Sequence, residues 1–254
     1  TDNRDNTAIL TGTPLQEHVG NNSITIIATD PAGGISKQEF TISVANVNDA
    51  PVFTSSDITS TNEDSVYTYT ITVSDEDGDN LTITANTLPN WLTLTDIGDN
   101  TATLTGTPLQ EHVGDNKVII VASDGNQGVT NHEFTINVAN VNDNPVFETT
   151  PTYDTNEDEL YTYNIIISDE DGHYSVITAP TKPAWLTLTD NGNNTAILSG
   201  TPLQGDVGIN HVVITATDAS SGVTDQSFNI NVVNVNNNPV FETTPTYDTN
   251  EDEL

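Results

Sequence analysis

The chain has 254 residues, 37 of them acidic and four basic, which gives a formal charge of −33 at pH 7, and it contains no cysteine. That balance argues against nucleic acid as a partner, because such affinity comes from neutralising phosphates with Lys and Arg, and it favours cations instead. Disulfides contribute nothing, and the longest clean apolar run, residues 118–122, is far short of the ~20 residues needed to cross a membrane.

Read along the chain, the hydrophobic signal has period two nearly throughout. An edge-like strand is predicted near Pro51 to Thr54. In residues 66–74, Tyr67, Tyr69, Ile71 and Val73 fall on one face and Thr68, Thr70 and Thr72 on the other, as a half-buried strand requires. The same alternation predicts strands at 80–85, 91–94, 101–104, 117–123 and 132–138, which makes seven. Between them lie turn formers, the DEDGDN run at 75–80, IGDN at 97–100 and DGNQG at 124–128, whose Gly, Asn and Asp tolerate left-handed backbone. Predicted core residues are Tyr69, Ile71, Trp91, Leu104, Val118, Ile120, Phe134 and Ile136. No segment shows helical periodicity. Seven short strands in under 100 residues, with one Trp among the middle strands, describe an all-β, immunoglobulin-like β-sandwich.

The pattern then repeats with a period of 94 residues and no insertion or deletion: Trp91 returns as Trp185, Asp75 as Asp169, and NVNDAPVF at 46–53 as NVNDNPVF at 140–147. The register predicts the C-terminal half of a repeat over 1–50, complete repeats over 51–144 and 145–238, and the first strand of another over 239–254. On this reading the chain is a segment of a longer linear array. A unit copied in register suits a stalk, in which each copy contacts its neighbours, better than a catalytic site, which is built once.

The residues LPNWLTL, LTGTPLQEHVG, VIIVASDG and FTINVANVND, taken with the NDNPVF linker, the DEDG turn and the early NED, resemble the dystroglycan-type cadherin-like and He_PIG-like Ig repeats of large bacterial extracellular adhesins. The resemblance covers the whole repeat and implies tandem, calcium-stiffened extracellular domains. Residue by residue it matches Asn142 and Asp143 to the linker, Asp169 and Asp171 to the paired aspartates, Asp218 to the late loop Asp, Glu63 to the early Glu and Glu111 to the motif Glu. Leu109 and Asn140 depart from it, each standing where the cadherin pattern has Asp.

A physical argument runs beside this resemblance. In an end-to-end array, Asp169, Asp171 and Asp218 should converge on the linker Asn142, Asp143 and Asn144, with Glu63 and Glu111 approaching from the preceding repeat. One repeat earlier the corresponding residues are Asp75, Asp77, Asp124, Asn48, Asp49 and Glu17. Carboxylates packed a few ångströms apart repel by ~1 kcal/mol per pair even in bulk water. A calcium ion, accepting six to eight oxygens, would relieve that repulsion.

A solvated acidic surface is the rival explanation, and comparison between repeats weighs against it. Asp79 becomes His173, Asp115 becomes Ile209 and Glu133 becomes Ser227, whereas Asp75/Asp169, Asp77/Asp171, Asp30/Asp124/Asp218 and Glu63/Glu157/Glu251 hold their places. Asp96 also recurs, but before a hairpin turn, and reads as a turn residue. Trp91 and Trp185 open apolar WLTL runs and read as core tryptophans rather than sugar platforms. His18 and His112 have no counterpart in the third repeat, which has Asp206. The function expected is a calcium-stiffened, non-catalytic stalk or fibre segment of a secreted or cell-surface adhesion protein. Its partners would be neighbouring repeats, calcium, and identical chains in a fibre or a host or biofilm surface. The alternative is a polysaccharide-binding module or a spacer domain of a secreted hydrolase.

Overall fold

The computed structural model describes residues 1–243; the recurrence at Glu251 and most of the expected segment 239–254 lie outside the described residues. The chain forms two compact units, Thr1–Val141 and Asn142–Leu254. Among the described residues regular structure is strand, apart from three single-turn 3-10 helices at Gln16–His18, Gln110–His112 and Gln204–Asp206.

The first unit opens with a hairpin, β1 (Gly20–Thr29) and β2 (Ile35–Val44), paired over ten residues. A complete sandwich follows: β3 (Val52–Phe53), β4 (Ser60–Asn62), β5 (Tyr67–Ser74), β6 (Thr82–Thr87), β7 (Leu92–Asp96), β8 (Thr101–Gly106), β9 (Gly114–Ser123) and β10 (Val129–Ala139). They make two four-stranded sheets, ordered β3-β5-β8-β7 and β4-β10-β9-β6. All pairings are antiparallel except β4 with β10, which is parallel.

The edge strand expected near Pro51 to Thr54 is β3, and a further strand, β4, joins the opposite sheet. The Ser60–Asn62 segment was not read from sequence. A contact between residues 17 apart marks the departure: Ser55 Oγ accepts the Thr72 N–H at 3.0 Å, so a side chain takes over where the β3 ladder to β5 ends. The chain then crosses to the other sheet, where Asn137 N donates to Thr59 O at 2.9 Å and the pairing with β10 begins.

The period-two faces are as expected. Tyr67, Tyr69, Ile71 and Val73 are buried, and all eight predicted core residues lie in one cluster. Burying each such side chain contributes roughly 1.5–3 kcal/mol. Trp91 stands edge-to-face against Tyr67, with ring centroids 5.8 Å apart, and donates Nε1–H to Asn116 Oδ1 at 3.0 Å, so its one polar atom is satisfied in the core. Asp96 does more than make a turn. Its Oδ1 accepts Gly98 N while its Oδ2 accepts Ile83 N, both at 3.0 Å, which ties the β7–β8 hairpin to β6 of the opposite sheet.

Residues 1–50 carry the β1–β2 sheet without a facing second sheet among the described residues, and burial registers this directly. Ile26 and Ile42 are 40% and 41% exposed, whereas Ile120 and Ile136 at the same repeat positions are fully buried.

The second unit repeats the sandwich with β11 (Val146–Phe147), β12 (Asp154–Asn156), β13 (Tyr161–Ser168), β14 (Val176–Thr181), β15 (Thr187–Asp190), β16 (Thr195–Gly200), β17 (Gly208–Thr217) and β18 (Val223–Val233). Sheet orders and register recur: Tyr163 pairs with Leu198 as Tyr69 pairs with Leu104.

Candidate metal centre

The DEDG turn after β5 is built by its own first aspartate. Asp75 Oδ1 accepts the backbone N–H of Asp77 at 2.9 Å and of Asp79 at 3.4 Å, and Gly78 sits at φ 76°, where a side chain would be strained. This folding gathers carboxylates, so that one oxygen from each of Asp75, Asp77 and Asp79 lies within 4.8 Å of the others. Asp75 Oδ2 is buried with no hydrogen-bond partner.

The linker closes on this turn. Asp49 N donates to Asp77 Oδ2 at 2.7 Å, and Gln16 Nε2 donates to Asp77 Oδ1 at 2.9 Å. Alongside, Asp124 Oδ1 accepts Asn126 N at 2.7 Å and Gly128 N at 2.9 Å, while Oδ2 accepts Asn48 Nδ2 at 2.8 Å. The Asn48 amide first, then the two backbone donors, hold the Asp124 carboxyl below the usual aspartate range, against the opposing effect of burial.

The second unit builds a similar arrangement from the corresponding residues. Asp143 N donates to Asp171 Oδ2 at 2.8 Å, and Asn142 Nδ2 donates to Asp218 Oδ2 at 2.9 Å. Asp218 Oδ1 accepts Ser220 N at 2.7 Å and Gly222 N at 2.8 Å, and its carboxyl is lowered, chiefly by the Asn142 amide. Gly222 approaches so closely that an added Cβ would lie 2.2 Å from Asp218 Oδ2 and 2.7 Å from Asn144 Oδ1, which places Asn144 in the group as well. Asp169 Oδ1 accepts His173 N at 3.0 Å, and Asp169 Oδ2, like Asp75 Oδ2, is buried with no hydrogen-bond partner.

Of the residues expected at metal sites, Asn48, Asp49, Asp75, Asp77 and Asp124 come together in the first unit, and Asn142, Asp143, Asn144, Asp169, Asp171 and Asp218 in the second. The expected glutamates have partners of their own. Glu63 is 1% exposed and its Oε1 accepts Val141 N at 2.5 Å; Glu157 likewise accepts Val235 N at 2.6 Å. Glu17 and Glu111 have largely exposed side chains, 3.8 Å from His18 and 3.5 Å from His112 respectively.

Sequence reasoning missed Gln16, whose side chain lies directly on Asp77. Its recurrence as Gln110 and Gln204 was the available signal. It also set aside Asp79 and His173 as drifting surface positions, although both stand within the acidic groups. Every donor in the first group is an oxygen, and an orphaned, buried carboxylate oxygen among other carboxylates is the environment a hard divalent cation fits.

Among the described residues no helix is long and apolar enough to cross a membrane. No curated protein matches the chain. Among solved structures, PcdhgB3 EC1-4 is similar over 88% of this chain and 60% of that one, with 17% identity and a TM-score of 0.56. Protocadherin Gamma B2 extracellular cadherin domains 1-5 are similar over 88% and 47%, with 20% identity and a TM-score of 0.52. Endo-fucoidan hydrolase MfFcnA4 from glycoside hydrolase family 107 aligns over 88% and 35%, with 26% identity and a TM-score of 0.38. The chain thus spans less than two thirds of each of these proteins, and the protocadherin likeness is one of fold, tandem cadherin-like β-sandwiches. The family model He_PIG, described as "Putative Ig domain", matches residues 50–139 and again 144–233. The chain belongs to this He_PIG Ig-domain family, with two tandem copies of the domain.

Proposed function

We propose that this chain is a non-catalytic, calcium-binding stalk or fibre segment of an extracellular adhesion protein. The observation that carries the reading is the buried, unpartnered Oδ2 of Asp75 and again of Asp169, each the first residue of a DEDG turn whose other oxygen is already committed to the turn. At an effective dielectric of 20, two charges 4 Å apart interact by ~4 kcal/mol, so a divalent cation here offsets a substantial repulsion. Asp75, Asp77 and Asp79, with Asp124 and the Asn48 and Asp49 carbonyl and side-chain oxygens, would supply the ligands. Bound calcium would then fasten the linker at 46–50 onto the domain that follows it. In a repeated chain this acts as a stiffener, and it asks nothing of acid–base or nucleophilic chemistry. The repetition, the charge and the membership of an Ig-domain family support an extracellular setting.

The test is calorimetric titration of the whole chain with calcium, combined with hydrogen exchange at the linker. Binding is expected in the range ~10⁻⁴ to 10⁻³ M usual for extracellular calcium modules. Amides of residues 46–50 should be protected by calcium and released by chelator. Asp75→Ala should remove both effects in the first unit. Calcium-indifferent linker exchange would overturn the reading.

A further inference from the structure

The two acidic groups differ where Asp79 gives way to His173, and that difference changes the chemistry. We infer that Asp169, His173 and Asp218 form a site for a borderline divalent transition ion of the zinc class, unlike the oxygen-only group of the preceding repeat. This deepens the metal-binding reading above and rests on it.

His173 stands where the preceding repeat has Asp79. One donor atom from each of Asp169, His173 and Asp218 lies within 4.8 Å of the others. The Asp169 side chain is 0% exposed, and both its Oδ2 and His173 Nδ1 are buried without a hydrogen-bond partner. His173 Nδ1 stands 3.8 Å from Asp169 Oδ1 and 4.0 Å from Asp171 Oδ2, distances too long for a hydrogen bond. The imidazole therefore faces carboxylates across a gap that direct bonding leaves unbridged.

The backbone holds it there. His173 N donates to Asp169 Oδ1 at 3.0 Å, and His173 O accepts Asn194 Nδ2 at 3.0 Å. Asp218 is fixed in turn by Ser220, Gly222 and Asn142. Imidazole nitrogen suits zinc, copper and nickel, whereas an all-oxygen set suits calcium and magnesium. Zinc binds His nitrogen and carboxylate oxygen at ~2.0–2.2 Å, and two carboxylates with one neutral imidazole balance its charge.

The experiment uses the whole chain, stripped with chelator, titrated with Zn²⁺ by calorimetry and with Co²⁺ by visible absorption, then with Ca²⁺ in parallel. Wild type should take up Zn²⁺ and give cobalt bands. His173→Asp copies the preceding repeat's residue, so its fold should persist, as an unchanged circular dichroism spectrum would show; it should lose the cobalt bands and weaken Zn²⁺ binding by at least about 10-fold, the cost of disturbing even a ligand's hydrogen-bonding partner. Asp79→His should create a second cobalt signal in the first unit. Zn²⁺ binding equal in wild type and His173→Asp would overturn the inference, as would no uptake by wild type. Calcium separates the two readings: loss of Ca²⁺ binding with His173-dependent Zn²⁺ binding intact sinks the calcium function alone, and the reverse sinks this inference alone.

Discussion

Asn48 Nδ2 donates to Asp124 Oδ2 at 2.8 Å, and 94 positions later Asn142 makes the same bond to Asp218 at 2.9 Å. Each bond joins the linker to the last hairpin of the sandwich that follows it. The sign of its pH dependence follows from the lowered carboxyls. A depressed folded-state value means stability that is present above the ordinary aspartate value of ~3.9 and is lost as pH falls through the lowered one. Acid should therefore release the linkers only below about pH 4, and Asn142→Ala should narrow that acid margin. Unfolding followed by circular dichroism from pH 7 to 2 checks this; equal acid midpoints in variant and wild type would contradict it.

Gly222→Ala should open the same contact by sterics. The added methyl would fall 2.2 Å from Asp218 Oδ2, so carboxylate or backbone must move. A cost of roughly 1–3 kcal/mol is expected, as for other overpacked sites, along with weakened metal uptake in the second unit. Gly205→Ala, where a Cβ meets nothing within 4 Å, is the control and should change neither denaturant midpoint nor binding.

Glu157 is buried, and its Oε1 accepts Val235 N at 2.6 Å. Glu157→Ala strands that N–H and should cost about 1–3 kcal/mol. Glu157→Gln keeps an acceptor oxygen and should recover much of the loss. Urea unfolding of the two variants distinguishes this hydrogen-bonding role from simple volume loss, under which both would be judged by packing alone.

Trp91 is 9% exposed and its indole N–H is committed to Asn116. Trp91→Ala should therefore act as a core truncation, costing about 3–5 kcal/mol. Glycan binding that disappears in this variant while the fold is retained would revive the sugar-platform reading.

Sequence alone determined the elements that depend on local alternation and on copying. The period-two faces of 66–74 and the eight core positions needed only the fact that successive strand side chains point to opposite sides, and that apolar ones are driven out of water. The strict 94-residue register did the rest, marking Asp75, Asp77 and Asp124 as positions that hold while neighbours change. Tertiary structure decided what depends on atoms far apart in the chain. Where the chain leaves β3 and joins the other sheet as β4 is set by Ser55 meeting Thr72 and Thr59 meeting Asn137, contacts that no local pattern encodes. Glu63 is expected from the sequence as a metal ligand, and its burial, with Val141, 78 positions on, presenting an N–H to its carboxylate, is visible only in the fold. Gln16 and His173 were legible as letters but not as site residues. Their role comes from the turn at Asp75 and its copy at Asp169, which folds carboxylates toward them and leaves one oxygen in each without a partner.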